Sequence, residues 1–243
     1  MPDAPFGFVV SLQRRLVAEA LGTGLLVAAV VGSGIMAQRM SPTDSGLALL
    51  ENAVATGGVL FVLIATLGPV SGAHFNPVVT AVDAWFGGIA RRDVAPYMVV
   101  QVIGACAGAI LANLMFGLSA VSVSTDDRSG SGIWLSELVA TFGLLLVILG
   151  LIRAGRSGWV ASAVAAYIVG AYWFTASTSF ANPAVTIGRT LSNTFAGIAP
   201  ASVPGFVVAQ CIGGVIAVLI TVVLWPHHST RAAVAIDIQS ETR

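Results

Sequence analysis

Six long apolar runs, at 16–36, 47–67, 94–116, 133–152, 159–176 and 203–225, dominate the sequence. A helix needs roughly 20 apolar residues to cross the hydrocarbon of a bilayer, so each run is long enough to span. The polar composition agrees. Of 243 residues, 11 are basic and 11 acidic, so 9% are charged and 56% hydrophobic. A soluble domain carries about 25% charged residues. The first run is too long for a cleaved signal and lacks a small-residue cleavage pattern. A net charge of zero argues against a nucleic-acid partner, since phosphate binding needs a basic surplus. Cys106 and Cys211 sit inside apolar runs, which speaks against a disulfide framework or a cysteine metal cluster. The adjacent His227 and His228 are weak metal ligands by themselves. No cofactor is implied. No His, Cys and carboxylate recur at catalytic spacing, so an enzyme is not expected.

The connections carry breakers and charge, with Arg39, Pro42 and Asp44 in 38–46, and Asp126, Asp127 and Arg128 in 118–132. Every basic residue is Arg. A cytoplasmic N-terminus places eight arginines inside (14, 15, 91, 92, 153, 156, 231 and 243) and three outside (39, 128 and 189). That bias puts both termini in the cytoplasm of a cell whose inner (plasma) membrane holds the chain.

Two apolar stretches are too short to span. Each opens alike, as Asn76-Pro77-Val78-Val79-Thr80 and as Asn182-Pro183-Ala184-Val185-Thr186. Asn is a strong N-cap and Pro suits the first helical position. Both stretches, 76–86 and 182–191, therefore predict short helices. Ten residues rise about 15 Å, half the hydrocarbon thickness. Two such half-helices entering from opposite sides make one broken span.

The halves repeat. Glu19 pairs with Glu137, Asn76 with Asn182 and Gln101 with Gln210, at offsets of 118, 106 and 109 residues in the same order. Three spans per half is odd, so the halves, about 12–117 and 133–226, insert in opposite senses. An inverted repeat places its site where the broken helices meet near the midplane. The whole of 1–243 then reads as a single transmembrane domain with short polar tails. Ion-coupled carriers and formate- or nitrite-type permeases share inverted repeats and broken helices, so the transporter class stays open at this point.

Six spans, two inverted halves and two Asn-Pro motifs resemble the aquaporin and aquaglyceroporin family over about residues 12–226. Ser71-Gly72-Ala73-His74-Phe75-Asn76-Pro77 is very similar to the family's first signature, with Val78 where Ala is usual. The resemblance implies an all-α, right-handed bundle of six transmembrane helices plus two re-entrant half-helices, assembled as a homotetramer with a pore in each protomer. It implies that Asn76 and Asn182 meet in the pore and donate to the passing molecule. Two helix dipoles aimed at that point repel cations.

Glu19 and Glu137 are acids in apolar helices, costly by about 2.5–3.5 kcal/mol on insertion scales unless satisfied. One reading makes them a proton relay or coupling site. The other, which the resemblance favours, makes them braces for the loops before the half-helices. His74 in family members lines the cytoplasmic half of the pore; packing is its alternative role. Cys106 and Cys211 read as packed thiols or, less simply, a mercury-sensitive pore thiol. Small residues such as Gly104, Gly108, Gly213 and Gly214 permit close helix crossing.

By family offsets the outer filter falls on Thr56, Gly170, Ser179 and Val185, positions 20 before Asn76 and 12 before, 3 before and 3 after Asn182. Water-selective members have an aromatic, a His and an Arg there. These four positions hold none of them, so a wide constriction is expected. Arg189 lies one turn beyond Val185 on the same half-helix. It either reaches the vestibule or pairs locally, with the half-helix end or with Asp126 or Asp127. Val185, Thr56 and the Gly-Arg-Thr at 188–190 resemble the aquaglyceroporins of bacterial arsenic-resistance operons. The implied partners are the bilayer and small neutral solutes: undissociated arsenite, glycerol, urea and water. A general glycerol, urea or water facilitator is the runner-up.

Overall fold

The computed structural model describes residues 10–225. His227, His228, Arg231, Arg243 and the polar tails lie outside the described residues. Among those described, the helices are α1 (Leu12–Met40), α2 (Ser45–Ser71), α3 (Pro77–Trp85), α4 (Val94–Met115), α5 (Ser131–Arg153), α6 (Val160–Phe174), α7 (Pro183–Gly188) and α8 (Val203–Leu224), with no strand. Six are long and apolar enough to cross a membrane. The exceptions are α3 and α7, with 9 and 6 residues.

Local chemistry sets the ends. Ser11 caps α1, and Asp44 caps α2 by accepting from Leu47 N–H. Asn76 and Asn182 are the N-caps of α3 and α7, with Pro77 and Pro183 at the start of each. At 29 residues α1 is longer than the apolar run 16–36. Its charged ends find partners, so the helix continues beyond the apolar stretch. Arg15 Nη2 pairs with Asp93 at 2.7 Å, and Arg39 Nη2 donates to Phe116 O at 2.8 Å. α2 ends at Gly72, whose φ of +89° turns the chain sharply towards Asn76. After α7 the chain tightens into a 3₁₀ turn, Arg189–Leu191.

The halves pack as the repeat demands. α1 lies on α4 and α2, α5 lies on α8 and α6, and α2 against α6 joins them. Lipid tails give apolar helices no hydrophobic reason to associate, so close backbone approach matters. A Cβ at Gly104 or Gly108 would overlap the carbonyl oxygen of Ala20 or Gly24 in α1. Gly213 repeats this against Leu138 in α5.

Replacing Gly108 by Ala should therefore destabilise the protein by about 1–3 kcal/mol, the usual range for overpacking. Thermal unfolding in detergent measures it. Gly58→Ala, whose Cβ meets open space, should leave the midpoint unchanged or raised.

Candidate functional site: a central lumen built on two buried carboxylates

The loops before α3 and α7 hold the same unusual backbone. Ala73 and Phe75 have φ of 50° and 52°; Ser179 and Ala181, each 106 positions later, have 50° and 48°. Non-glycine residues in this region cost of order 1–3 kcal/mol each and persist only when their surroundings impose them. Here fully buried carboxylates do so. Glu19 accepts from His74 N–H (2.9 Å), Phe75 N–H (2.7 Å), Ser71 Oγ (2.7 Å) and Gln101 Nε2 (2.7 Å). Glu137 accepts from Phe180 N–H and Ala181 N–H, both at 2.8 Å, and from Gln210 Nε2 at 2.6 Å. Each Gln also reaches a half-helix threonine, Thr80 or Thr186, at 2.9 Å. Neither carboxylate lines the lumen.

The loops then place the asparagines. Asn76 Nδ2 donates to Ala181 O at 2.8 Å, and Asn182 Nδ2 donates to Phe75 O at 2.7 Å. Each Oδ1 accepts from its own half-helix, at Val78 N–H and Ala184 N–H, both 2.9 Å. Every amide thus keeps one N–H for another acceptor. Both asparagines line a cavity of about 500 Å³ that extends from Arg15 and Asp83 to Thr56 and Arg189. Most of its wall is aliphatic, including Leu26, Val79, Leu144 and Ile168.

Of the four offset positions, Thr56, Ser179 and Val185 line this lumen and Gly170 does not. The placement of Gly170 needs correction. It is exposed, and a Cβ there would meet nothing within 4 Å. The lumen face of α6 instead steps by four residues through Val160, Val164, Ile168 and Tyr172. Gly170 sits two residues, about 200° of helical rotation, from Ile168. Counting back from Asn182 ignores that phase. Tyr172 is buried, and its hydroxyl donates to Thr56 Oγ1 at 3.3 Å.

Arg189 also lines the lumen, 2% exposed. Its guanidinium carbon stands 3.4 Å from the Phe180 ring centroid, and Nε donates to Ala196 O. The nearby acids are engaged elsewhere. Asp126 pairs with Arg128 at 2.8 Å. Asp127 accepts from Ser202 and Ser129, which hold its carboxyl below the usual carboxylate range. At the opposite mouth, His74 Nδ1 lies 3.1 Å from Thr80 Oγ1, and Nε2 lies 3.4 Å from Asp83 Oδ2. Cys106 and Cys211 do not line the lumen. Among the described residues no three His, Cys, Asp or Glu side chains gather into a metal site.

The family model for the major intrinsic protein matches residues 9–181. The chain belongs to the major intrinsic protein family. It is 56% identical over 208 residues to the aquaglyceroporin AqpS of Rhizobium meliloti strain 1021, covering 85% of this chain and 88% of that protein. It is 31% identical over 243 aligned positions to the aquaporin AqpM of Methanothermobacter marburgensis, covering 87% and 97%. The X-ray structure of the aquaglyceroporin from Plasmodium falciparum shares the fold, with a TM-score of 0.67 at 24% identity, over 86% of this chain and 95% of that one.

Major intrinsic proteins are passive channels rather than enzymes. Sequence reasoning missed Tyr172, Phe180 and Asp83 in this major intrinsic protein. Helical phase from Ile168 would have found Tyr172. Phe180 needed only attention to its place two residues before Asn182.

Glu19→Gln and Glu137→Gln each turn an acceptor oxygen into a donor facing loop N–H groups. Each stranded buried donor costs about 1–3 kcal/mol. Both variants should unfold at lower temperature in detergent, and whatever flux survives should not respond to a proton gradient. Wild-type stability combined with loss of gradient-driven uptake would instead mark the glutamates as coupling residues.

Proposed function

We propose that this major intrinsic protein is a passive aquaglyceroporin-type channel for small uncharged solutes. In this reading it conducts undissociated arsenite and related metalloid acids as well as glycerol, urea and water. The carrying observation is the wall beyond the asparagines. Val185, three residues after Asn182 where by resemblance family members carry an arginine, lines it together with Thr56 and Ser179, which offer small neutral hydroxyls. Solutes rich in hydroxyls suit a mostly aliphatic lumen with a few polar groups, since those groups fix orientation without a strong binding well. The similarity to AqpS, an aquaglyceroporin by name, supports the same reading. A general glycerol and water facilitator is the second reading, favoured by the absence of any feature dedicated to one solute among the described lining residues.

A secondary transporter fits less well. Such a protein needs a coupling or substrate-charge site at midplane, whereas Glu19 and Glu137 are consumed by loop hydrogen bonds. The arginine bias puts the termini and the His74 mouth in the cytoplasm, and the Arg189 mouth outside, in the inner (plasma) membrane. The chain works as one channel domain in a homotetramer, each protomer with its own pore. With no energy coupling, direction follows the solute gradient alone.

Comparing water, glycerol and arsenous acid fluxes in one liposome preparation, with and without Val185→Arg, tests this reading. The added guanidinium should cut glycerol and arsenous acid flux while sparing water. Equal loss of all three would show blockage or misfolding and remove Val185 as a determinant.

A further inference from the structure

At the mouth opposite Arg189, a histidine and an acid face each other without bonding. We infer that His74 Nε2 and the Asp83 carboxylate form a docking site there for the hydroxyl groups of small neutral polyols. The inference rests on the channel reading above, in which this mouth is cytoplasmic. It makes Asp83, in the first half-helix, a determinant of which solutes enter.

Hydrogen-bond counting fixes the tautomer of His74. Thr80 Oγ1 donates its one hydrogen to Asn76 O at 3.0 Å and accepts from Gln101 Nε2 at 2.9 Å. A hydroxyl has one donor and two acceptor sites. The site left over lies 3.1 Å from His74 Nδ1, so it receives an Nδ1–H. In neutral His74 the other nitrogen, Nε2, is then a bare acceptor. It stands 3.4 Å from Asp83 Oδ2, beyond the roughly 2.7–3.2 Å of an N–H···O hydrogen bond. Two acceptors side by side repel unless a third group donates to them.

Glycines keep both acceptors open. A Cβ at Gly72 would come within 3.0 Å of His74 Nε2, and one at Gly88 would overlap Asp83 Oδ1. Gly72, His74, Asp83 and Gly88 all line the lumen. Helix stability does not account for the acid. Asp83 lies in the last turn of α3, at the negative end of the helix dipole, where an acid is disfavoured. Arg15, which lines the same mouth, uses Nη2 on Asp93 at 2.7 Å and lies over the Tyr97 ring. A polyol entering the lumen sheds water from its hydroxyls. One of them donates to Nε2 and its neighbour to Asp83, which replaces hydrogen bonds left behind in solution. The carboxylate turns anions away.

The test uses the full chain in liposomes, with water and glycerol flux followed by light scattering. Wild-type protein must first conduct; if it does not, the channel reading itself fails. Asp83→Asn keeps the shape of the side chain but supplies an amide that donates to His74 Nε2 and closes the pair on itself. The glycerol-to-water ratio should then fall on the order of tenfold, the equivalent of one hydrogen bond. Gly88→Ala displaces the carboxylate and should lower the ratio in the same direction, so it serves where Asp83→Asn does not fold. Nitrogen NMR supplies a readout at equilibrium. It uses histidine-labelled protein with His227→Ala and His228→Ala, at about pH 8, above the usual histidine range. His74 should show a bare Nε2 whose signal shifts as glycerol is added. An unchanged ratio in folded Asp83→Asn or Gly88→Ala protein overturns the inference. So does equal loss of water and glycerol flux, a proton on Nε2, or an Nε2 signal indifferent to glycerol.

Discussion

The hydrogen bonds from loop N–H groups to Glu19 and Glu137 are the interaction on which the rest of this structure depends. A bilayer supplies no water to irregular backbone, and such backbone survives at depth only inside protein or beside a wet path. The loops at 72–75 and 178–181 are irregular by necessity, because each reverses a chain halfway through the membrane. Their alternating left-handed residues turn consecutive N–H groups to one side, where a single carboxylate accepts them. Gln101 and Gln210 close the ring from the third long helix of each half and tie it to Thr80 and Thr186 on the half-helices. One acid thus joins three helices and a loop. A charge that is costly in an apolar helix becomes the fastener of its half.

From those fasteners the pore chemistry follows. The loops face each other, and each contributes the carbonyl that holds the opposite asparagine, Phe75 for Asn182 and Ala181 for Asn76. The amides are therefore fixed across the pseudo-symmetry axis rather than by their own half. Beyond them the wall is largely aliphatic, so a solute meets few strong partners. Weak binding with a fixed orientation is what rapid passive conduction requires.

How far this was legible in the sequence depends on how local each cause is. The half-helices could be read from Asn76-Pro77 and Asn182-Pro183, because capping is settled within four residues. The repeat could be read because Glu, Asn-Pro and Gln recur in order. Gly170 could not be read by counting, since the lumen face of α6 is decided by helical phase, and that phase favours Ile168 and Tyr172. Arg189 was visible as a residue one turn past Val185, with two fates left open. Its fate turned on loop packing beyond capping range: the chain after α7 brings Ala196 O to Nε, Arg128 takes Asp126, and Phe180 supplies the facing ring. The pairing of Tyr172 with Thr56 needs α6 against α2, a contact between halves 116 positions apart.

Passive conduction is the central claim, and the concentration dependence of glycerol flux into liposomes holding the purified protein tests it most directly. Buried glutamates consumed by loop hydrogen bonds leave no coupling site and predict flux that rises linearly with the gradient. The rate should be identical with and without an imposed proton or sodium gradient. Flux that saturates at low glycerol and follows either ion gradient would contradict the account.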